Sequence, residues 1–410
     1  MLVNDLDRRH RSPEVHSRVS NKQSWAVGAY FGLIGIAVGA WVARIPEIQA
    51  RLRIDDGQLG VILLTSAAGA LVAMPLAGRL TPRFGTRWMA WGSAGSVCVL
   101  LPMIPWAPSQ PALMAVFAAY GASTGILGVV VNALAVHVEK HQSRPILSTY
   151  HGLFSFGGLV GASIAAGCLA WKVEPIPSLI GASIGVGAAY LFAGPWLPEA
   201  MVEHRAGPTT SEVGSARRWS WPARRLIVLG GFAFLGLVGE GSMGDWSAVY
   251  LRRSLGASAS LAGLGYAAYS LGMTMGRFSG DSLSRRFGDV ALLRRGACLA
   301  SIGLLGAVLV GHPLASIVGF ILVGAGLANA VPVLYRAAAR TPGVEPVAGI
   351  ATTSTVGYLG FLAGPPLIGL IASRATLGVA LASVALAIGL IAIGGRVVDA
   401  DRIVRNQANH

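Results

Sequence analysis

Charge is scarce in this chain. Asp, Glu, Lys and Arg make up 12% of its 410 residues, about half of the ~25% expected of a soluble domain. Acidic residues are the scarcer kind, 18 against 32 Lys and Arg. Cysteine is nearly missing. Cys98, Cys168 and Cys298 each stand alone inside an apolar run, a spacing that suggests neither a metal site nor a disulfide framework. The alternating ten-residue strands of a membrane barrel are absent. No Gly-rich stretch follows a strand, so no nucleotide site is supported. Neither an enzyme nor a cofactor is expected. The polar residues 1–24 lack the apolar core and cleavage site of a signal peptide, so the first helix is expected to direct insertion itself.

Apolar surface is abundant instead. Hydrophobic residues are 53% of the chain, mean hydropathy is +0.61, and apolar runs recur from Trp25 to Gly394. A bilayer core takes about 20 apolar residues per helix. Twelve such spans leave enough chain for connections and tails and none for a soluble domain. The expected fold is an all-α membrane protein with spans near 25–45, 57–78, 88–106, 111–137, 146–170, 177–197, 226–251, 257–278, 292–310, 313–337, 347–373 and 376–395. This divides the chain into a tail (1–24), a six-helix bundle (25–197), a polar linker (198–225), a second bundle (226–395) and a tail (396–410).

With alternating spans, one side holds only Arg44, Arg51, Arg53, Lys172, Arg252, Arg253 and Arg374 of the 32 basic residues. The remainder, including a cluster from Arg277 to Arg295, falls on the other side. Positive residues favour the cytoplasm, so both termini are expected there. The net charge of +14 then reflects topology and anionic lipid, and no nucleic-acid partner is expected.

The bundles repeat. Trp41 and Trp246 stand 205 residues apart, as do Leu59-Gly60 and Leu264-Gly265. Gly121 and Gly324 stand 203 apart, as do the pairs Gly157/Gly161 and Gly360/Gly364. Parallel six-helix repeats are a transporter architecture with the solute held at the midplane between them.

After the second span the chain reads Gly78-Arg79-Leu80-Thr81-Pro82-Arg83-Phe84-Gly85-Thr86-Arg87. This resembles the G-x-L-x-D-R-x-G-R loop motif of the major facilitator superfamily, with Pro82 in place of Asp. A second copy runs from Gly280-Asp281 to Arg285-Arg286-Phe287-Gly288. Gly121, Gly125, Asn132, Glu139, Arg144-Pro145 and the segment from Ser148 through His151 to Gly158 resemble the fucose-permease-like branch. Gly39-Ala40-Trp41, Arg44-Ile45-Pro46 and Ile48 resemble its rhizopine-permease (MosC-like) group. The resemblance covers the whole chain. It implies proton symport of a small polar solute across the bacterial inner membrane, with no further partner beyond lipid and a monomeric state. Two positions depart from the fucose-permease pattern: Gly128 replaces a protonatable Glu, and His151 replaces a Gln. In span five the Gly-Pro of drug antiporters is missing, and Gly364-Pro365-Pro366 occurs in span eleven instead.

Ionisable groups at membrane depth cost a few kcal/mol each and default to function. Glu240 lies near the midplane of span seven among Gly239, Gly241 and Gly244, and is a candidate proton carrier or a carboxylate packed on another helix. Asp245 sits nearer the outside, at the height of Arg44. The two are either an outer gating pair or separate interfacial charges. His151 and Asn132 fall at matching depth on consecutive spans. They are candidate solute ligands, His151 also for the proton, or partners in a packing hydrogen bond. Asn329 is a weaker candidate of the same kind. Trp41, Trp246 and Tyr269, with Tyr120, Tyr250, Tyr266 and Tyr358, suit stacking on a sugar ring or an interfacial belt. Arg79, Arg83, Asp281, Arg285 and Glu139 are assigned to an inner gate, the usual role of the superfamily motif.

The leading expectation is thus a proton-driven transporter of a sugar- or cyclitol-like solute. A proton-coupled exporter of amphipathic compounds or drugs is the alternative, and a receptor on the same fold is the third reading.

Overall fold

A computed structural model describes residues 20–142, 146–199 and 221–399. It is helical throughout the described residues. In chain order the long helices are α1 (Asn21–Val42, resumed at Ile45–Leu52), α2 (Asp56–Phe84), α3 (Thr86–Leu100), α4 (Gln110–Gln142), α5 (Leu147–Ala170) and α6 (Pro175–Ala193). Then follow α7 (Trp221–Val249), α8 (Ala259–Phe287), α9 (Asp289–Val310), α10 (Pro313–Leu327, resumed at Ala330–Ala339), α11 (Pro346–Arg374) and α12 (Leu377–Gly394). Residues 1–19, Arg144-Pro145, 200–220 of the linker and 400–410 lie outside the described residues, and the last five residues of the 198–225 stretch already belong to α7.

Eleven of these segments are long and apolar enough to cross a bilayer. The twelfth is α8. Its 29 residues reach about 43 Å at 1.5 Å per residue, ample for a span, but Ser, Thr, Tyr and Arg dilute its hydropathy. The reason is positional: α8 is buried along most of its length against α5, α7 and α10, so little of it needs to suit lipid.

The duplication seen in the sequence recurs in the packing. α1 lies on α5 as α7 lies on α11, and α2 lies on α4 as α8 lies on α10. Between the halves, α5 meets α8 and α2 meets α11. The repeated glycines explain how the helices come so close. A Cβ on Gly121 would strike the carbonyl of Ser66, and one on Gly324 would strike that of Tyr269. Those two carbonyls are themselves 203 residues apart. Small residues at such crossings let backbones touch where lipid offers no hydrophobic drive for association.

The halves are in contact at the face bearing the α1–α2 and α7–α8 connections, called outer here after the charge count. Gly60 of α2 packs on the Pro365 carbonyl of α11, 2.6 Å from a Cβ placed there, and Gly263 of α8 faces Ala166 and Leu169 of α5.

Gly121→Val and Gly324→Val are each expected to cost about 1–3 kcal/mol or more, the usual range for overpacking. Gly167→Ala, where nothing lies within 4 Å, should be neutral or stabilising. Thermal unfolding of the purified variants in detergent distinguishes these outcomes, and an unshifted Gly121→Val melt would contradict the crossing.

Candidate functional site

The charged centre of the bundle is built from three helices. Glu240 of α7 and Arg277 of α8 form an ion pair, Nη2 to Oε1 at 3.4 Å, with side chains only 22% and 15% exposed. The other guanidinium nitrogen of Arg277 donates to the His151 carbonyl at 3.0 Å and to the Ser155 hydroxyl at 2.8 Å, both on α5. One side chain therefore ties the second half together and also crosses to the first. Tyr266, Tyr269, Tyr335 and Tyr358 all lie within electrostatic range of the Glu240 carboxylate. The candidate site is a carboxylate–guanidinium pair with four phenols in its electrostatic neighbourhood.

Arg277 was not among the residues singled out from the sequence, where it was counted with the cytoplasmic basic cluster. Its Cα lies near the inner end of α8, and its long side chain turns inward instead of snorkelling to water. A signal was present: Arg277 lies inside the predicted span 257–278, and a charge there needs a partner.

Above this centre are aromatic groups from both halves. Trp41 packs edge-on against Phe117 (5.0 Å) and Tyr120 (6.0 Å) of α4. Tyr269 lies 5.9 Å from Tyr266. Trp41, Trp246, Tyr120 and Tyr269 are all buried. The Trp246 indole nitrogen and the Tyr269 hydroxyl make no hydrogen bond among the described residues, while the Trp41 indole and the Tyr120 hydroxyl interact with one another.

Other expected constellations are not assembled. Arg44 does not pair with Asp245. It is wholly buried and bonds Glu47, three residues on, at 2.8 Å. The break at Ala43–Arg44 makes Arg44 the cap of the next short helix, which brings Glu47 nearer than any carboxylate of α7. Asp245 has no hydrogen bond or ion pair among the described residues. Asn132 does not meet His151. Its amide donates to the Gly128 carbonyl one turn back, at 2.8 Å, while the His151 ring packs on Phe31 of α1 at 5.3 Å. Asn329 occupies the break in α10 and donates to the Gly276 carbonyl at 3.0 Å, fixing α10 to α8.

The inner end differs likewise. Glu139 accepts from the Ile146 and Leu147 amides at 2.8 and 3.0 Å, so it caps the start of α5, a use suited to the positive helix end. Arg79, Arg83 and Asp281 are exposed and unpaired among the described residues, and Arg285 reaches only Ser282. The ion pairs at this end lie within each half: Asp289 with Arg336, at 2.7 Å, joins α9 to α10, and Arg87 with Glu199, at 2.9 Å, joins α3 to the residues after α6. The outer end does hold an ion pair between halves: Arg253 with Asp56, at 2.6 Å, and Asp56 also accepts from Gln49 at 2.8 Å.

Twelve packed helices in two repeated halves around an intramembrane charge pair define a polytopic membrane transporter of the major facilitator type. Its relatives agree. The chain is 35% identical to an uncharacterized MFS-type transporter of Yersinia pestis, over 90% of this chain and 94% of the relative. It is 32% identical to the membrane protein MosC of Rhizobium meliloti, over 92% and 90%. No family model matches it. Among solved structures, the nucleoside transporter NupG superposes with a TM-score of 0.71 at 12% identity, over 92% of this chain and 99% of that one. The fucose:proton symporter FucP of E. coli does so at 0.60 and 15%, over 92% and 98%. The chain belongs to the major facilitator superfamily, and its activity is transport and not enzymatic catalysis.

The geometry makes a double-mutant expectation. Arg277→Gln and Glu240→Gln should be strongly non-additive in thermal stability, with a coupling of about 1 kcal/mol or more, as for contacting charges. Arg44→Gln and Asp245→Asn should add within about 0.5 kcal/mol. A coupling between Arg44 and Asp245 as large as that between Glu240 and Arg277 would contradict these pairings.

Proposed function

We propose that the chain carries a small polar solute, sugar- or cyclitol-like, by alternating access and proton symport, as a monomer in the bacterial inner membrane with both termini cytoplasmic. The observation that carries this reading is the position of Arg277 between Glu240 in its own half and His151 and Ser155 in the other. With Glu240 ionised, the guanidinium is attracted toward α7. A proton on the carboxylate removes that attraction and leaves Arg277 bonded to α5. Proton occupancy thus changes the balance between a tie within one half and a tie across the halves. A charge pair of this kind acts more strongly than one in water because the site is poorly solvated.

The phenols and indoles around the pair favour a hydroxyl-rich solute, since each offers an apolar face with a hydrogen-bonding group at its edge. Nucleoside transport and fucose:proton symport, the activities of these structural neighbours, fit solutes of that chemistry. In this reading Trp41, Trp246, Tyr120 and Tyr269 contact the solute, Glu240 carries the proton, and the His151 side chain is a further solute ligand while its backbone carbonyl holds Arg277.

A thermal-shift screen of sugars, cyclitols and nucleosides should find a stabilising solute. In proteoliposomes, Glu240→Gln, which mimics the protonated carboxyl, is expected to abolish pH-driven accumulation of that solute while counterflow exchange persists. His151→Ala should mainly weaken apparent affinity. Full pH-driven accumulation by the Glu240→Gln protein would remove Glu240 as the carrier.

A further inference from the structure

The outer face carries a second charged feature, separate from the central pair. A cavity of about 580 Å³ opens where the halves meet, with Gln49, Ala50, Arg53, Asp55, Arg252 and Arg253 in its lining. Basic residues are sparse on this side, only seven of the chain's 32, yet three of them converge here. Topology favours the opposite, so the convergence asks for another cause.

Two backbone irregularities place these arginines. Arg53 ends the short helix Ile45–Leu52 in the left-handed region, φ 52°, ψ 40°, a conformation that costs a non-glycine residue about 1 kcal/mol or more. Its side chain gains no internal partner in return among the described residues. Arg252 and Arg253 project from a π-turn, Tyr250–Ser254, that widens the end of α7. Such turns are rare and occur often at functional sites.

The local charges do not cancel. Arg253 is matched by Asp56 at 2.6 Å. The Asp55 carboxylate accepts from the Gln58 backbone N–H at 2.8 Å, capping α2, so three guanidinium groups here face two carboxylates. Arg252 gives one nitrogen to the Ala257 carbonyl at 2.7 Å and keeps its other donors. Arg53 keeps all of its own. Two guanidinium groups, one from each half, thus border a cavity with room for a six-carbon molecule.

We propose that this cavity binds a small soluble anion through its carboxylate or phosphate group, held between Arg53 of the first half and Arg252 of the second. Guanidinium forks match these groups in shape as well as charge. The exposed arginines and the polar lining favour a soluble anion over a lipid headgroup. The inference does not depend on the central site. It has a mechanical consequence, because the two arginines belong to opposite halves. The site is complete only while the outer ends are together, so an anion bound there stabilises the outward-closed arrangement by linkage.

The test uses the full-length protein in detergent, titrated separately with glucuronate and with inorganic phosphate at constant ionic strength. At least one anion should raise the melting temperature saturably by several degrees. It should also slow maleimide labelling of Ala50→Cys, on the cavity wall, by about threefold or more. Both effects should vanish in Arg53→Gln/Arg252→Gln, which leaves the Arg253–Asp56 pair in place and whose melt without anion checks its folding. No saturable effect of either anion on the parent overturns the proposal. Protection that survives in the double variant also overturns it, since that would mark an anion acting through the central cavity.

Discussion

An ionised side chain at membrane depth must find a partner inside the protein, and that constraint organises this bundle. In the spanning part of the second half, the pairing of Glu240 with Arg277 meets it. The arginine has more donors than one carboxylate can use, so the excess goes to α5, to the His151 carbonyl and the Ser155 hydroxyl. The polar character of α8 follows from the same requirement. A helix that carries Arg277 must be enclosed, and α5, α7 and α10 enclose it. Enclosure in turn permits the serines, threonines and tyrosines that lower its hydropathy below that of its neighbours.

The duplication makes the asymmetry of charge plain. Helix crossings are repeated, down to the carbonyls that Gly121 and Gly324 approach. The charges are not. α1 has no ionisable carboxylate or base between Lys22 and Arg44, and α2 has none between Asp56 and Arg79. The repeat therefore supplies two matching bundles, and among the described residues only the second has a charge pair that joins two of its long helices in mid-span. Packing depends on small residues that both halves keep, whereas a charge switch is needed once. A second pair in the first half would add desolvation cost without adding a distinct state.

The architecture was legible in the sequence because its signals are additive. Span length, alternation of basic residues and a repeat of glycines each sum over many positions, so single errors do not matter. The site was less legible because it turns on where individual side chains point. Glu240 was found from depth alone. Arg277 was missed because counting basic residues by loop assigns a side chain to the side of its Cα, and an arginine reaches well beyond that. Asn132 and Asn329 have the right depth, but their amides bond backbone carbonyls at Gly128 and Gly276, where glycine leaves the carbonyl accessible. Arg44 and Asp245 share a height, yet Pro46 follows a break in α1, and the shorter route to Glu47 prevails. Local geometry decided each of these, and hydropathy does not report it.

The groups left without partners carry the last step. Arg44 has two nitrogens without a protein partner although it is fully buried, and the Trp246 indole and the Tyr269 hydroxyl have none either. Each buried donor without an acceptor costs about 1–3 kcal/mol, a large burden for a folded protein to keep in one place. An interior with every donor satisfied would hold one arrangement of the halves far below any other. Donors near the junction that the protein itself leaves unpaired are available to bond water or an arriving solute. On the proposed reading of rocking halves, the orphaned donors and the divided loyalty of Arg277 serve one end. They keep two packings close enough in energy for a proton and a small solute to choose between them.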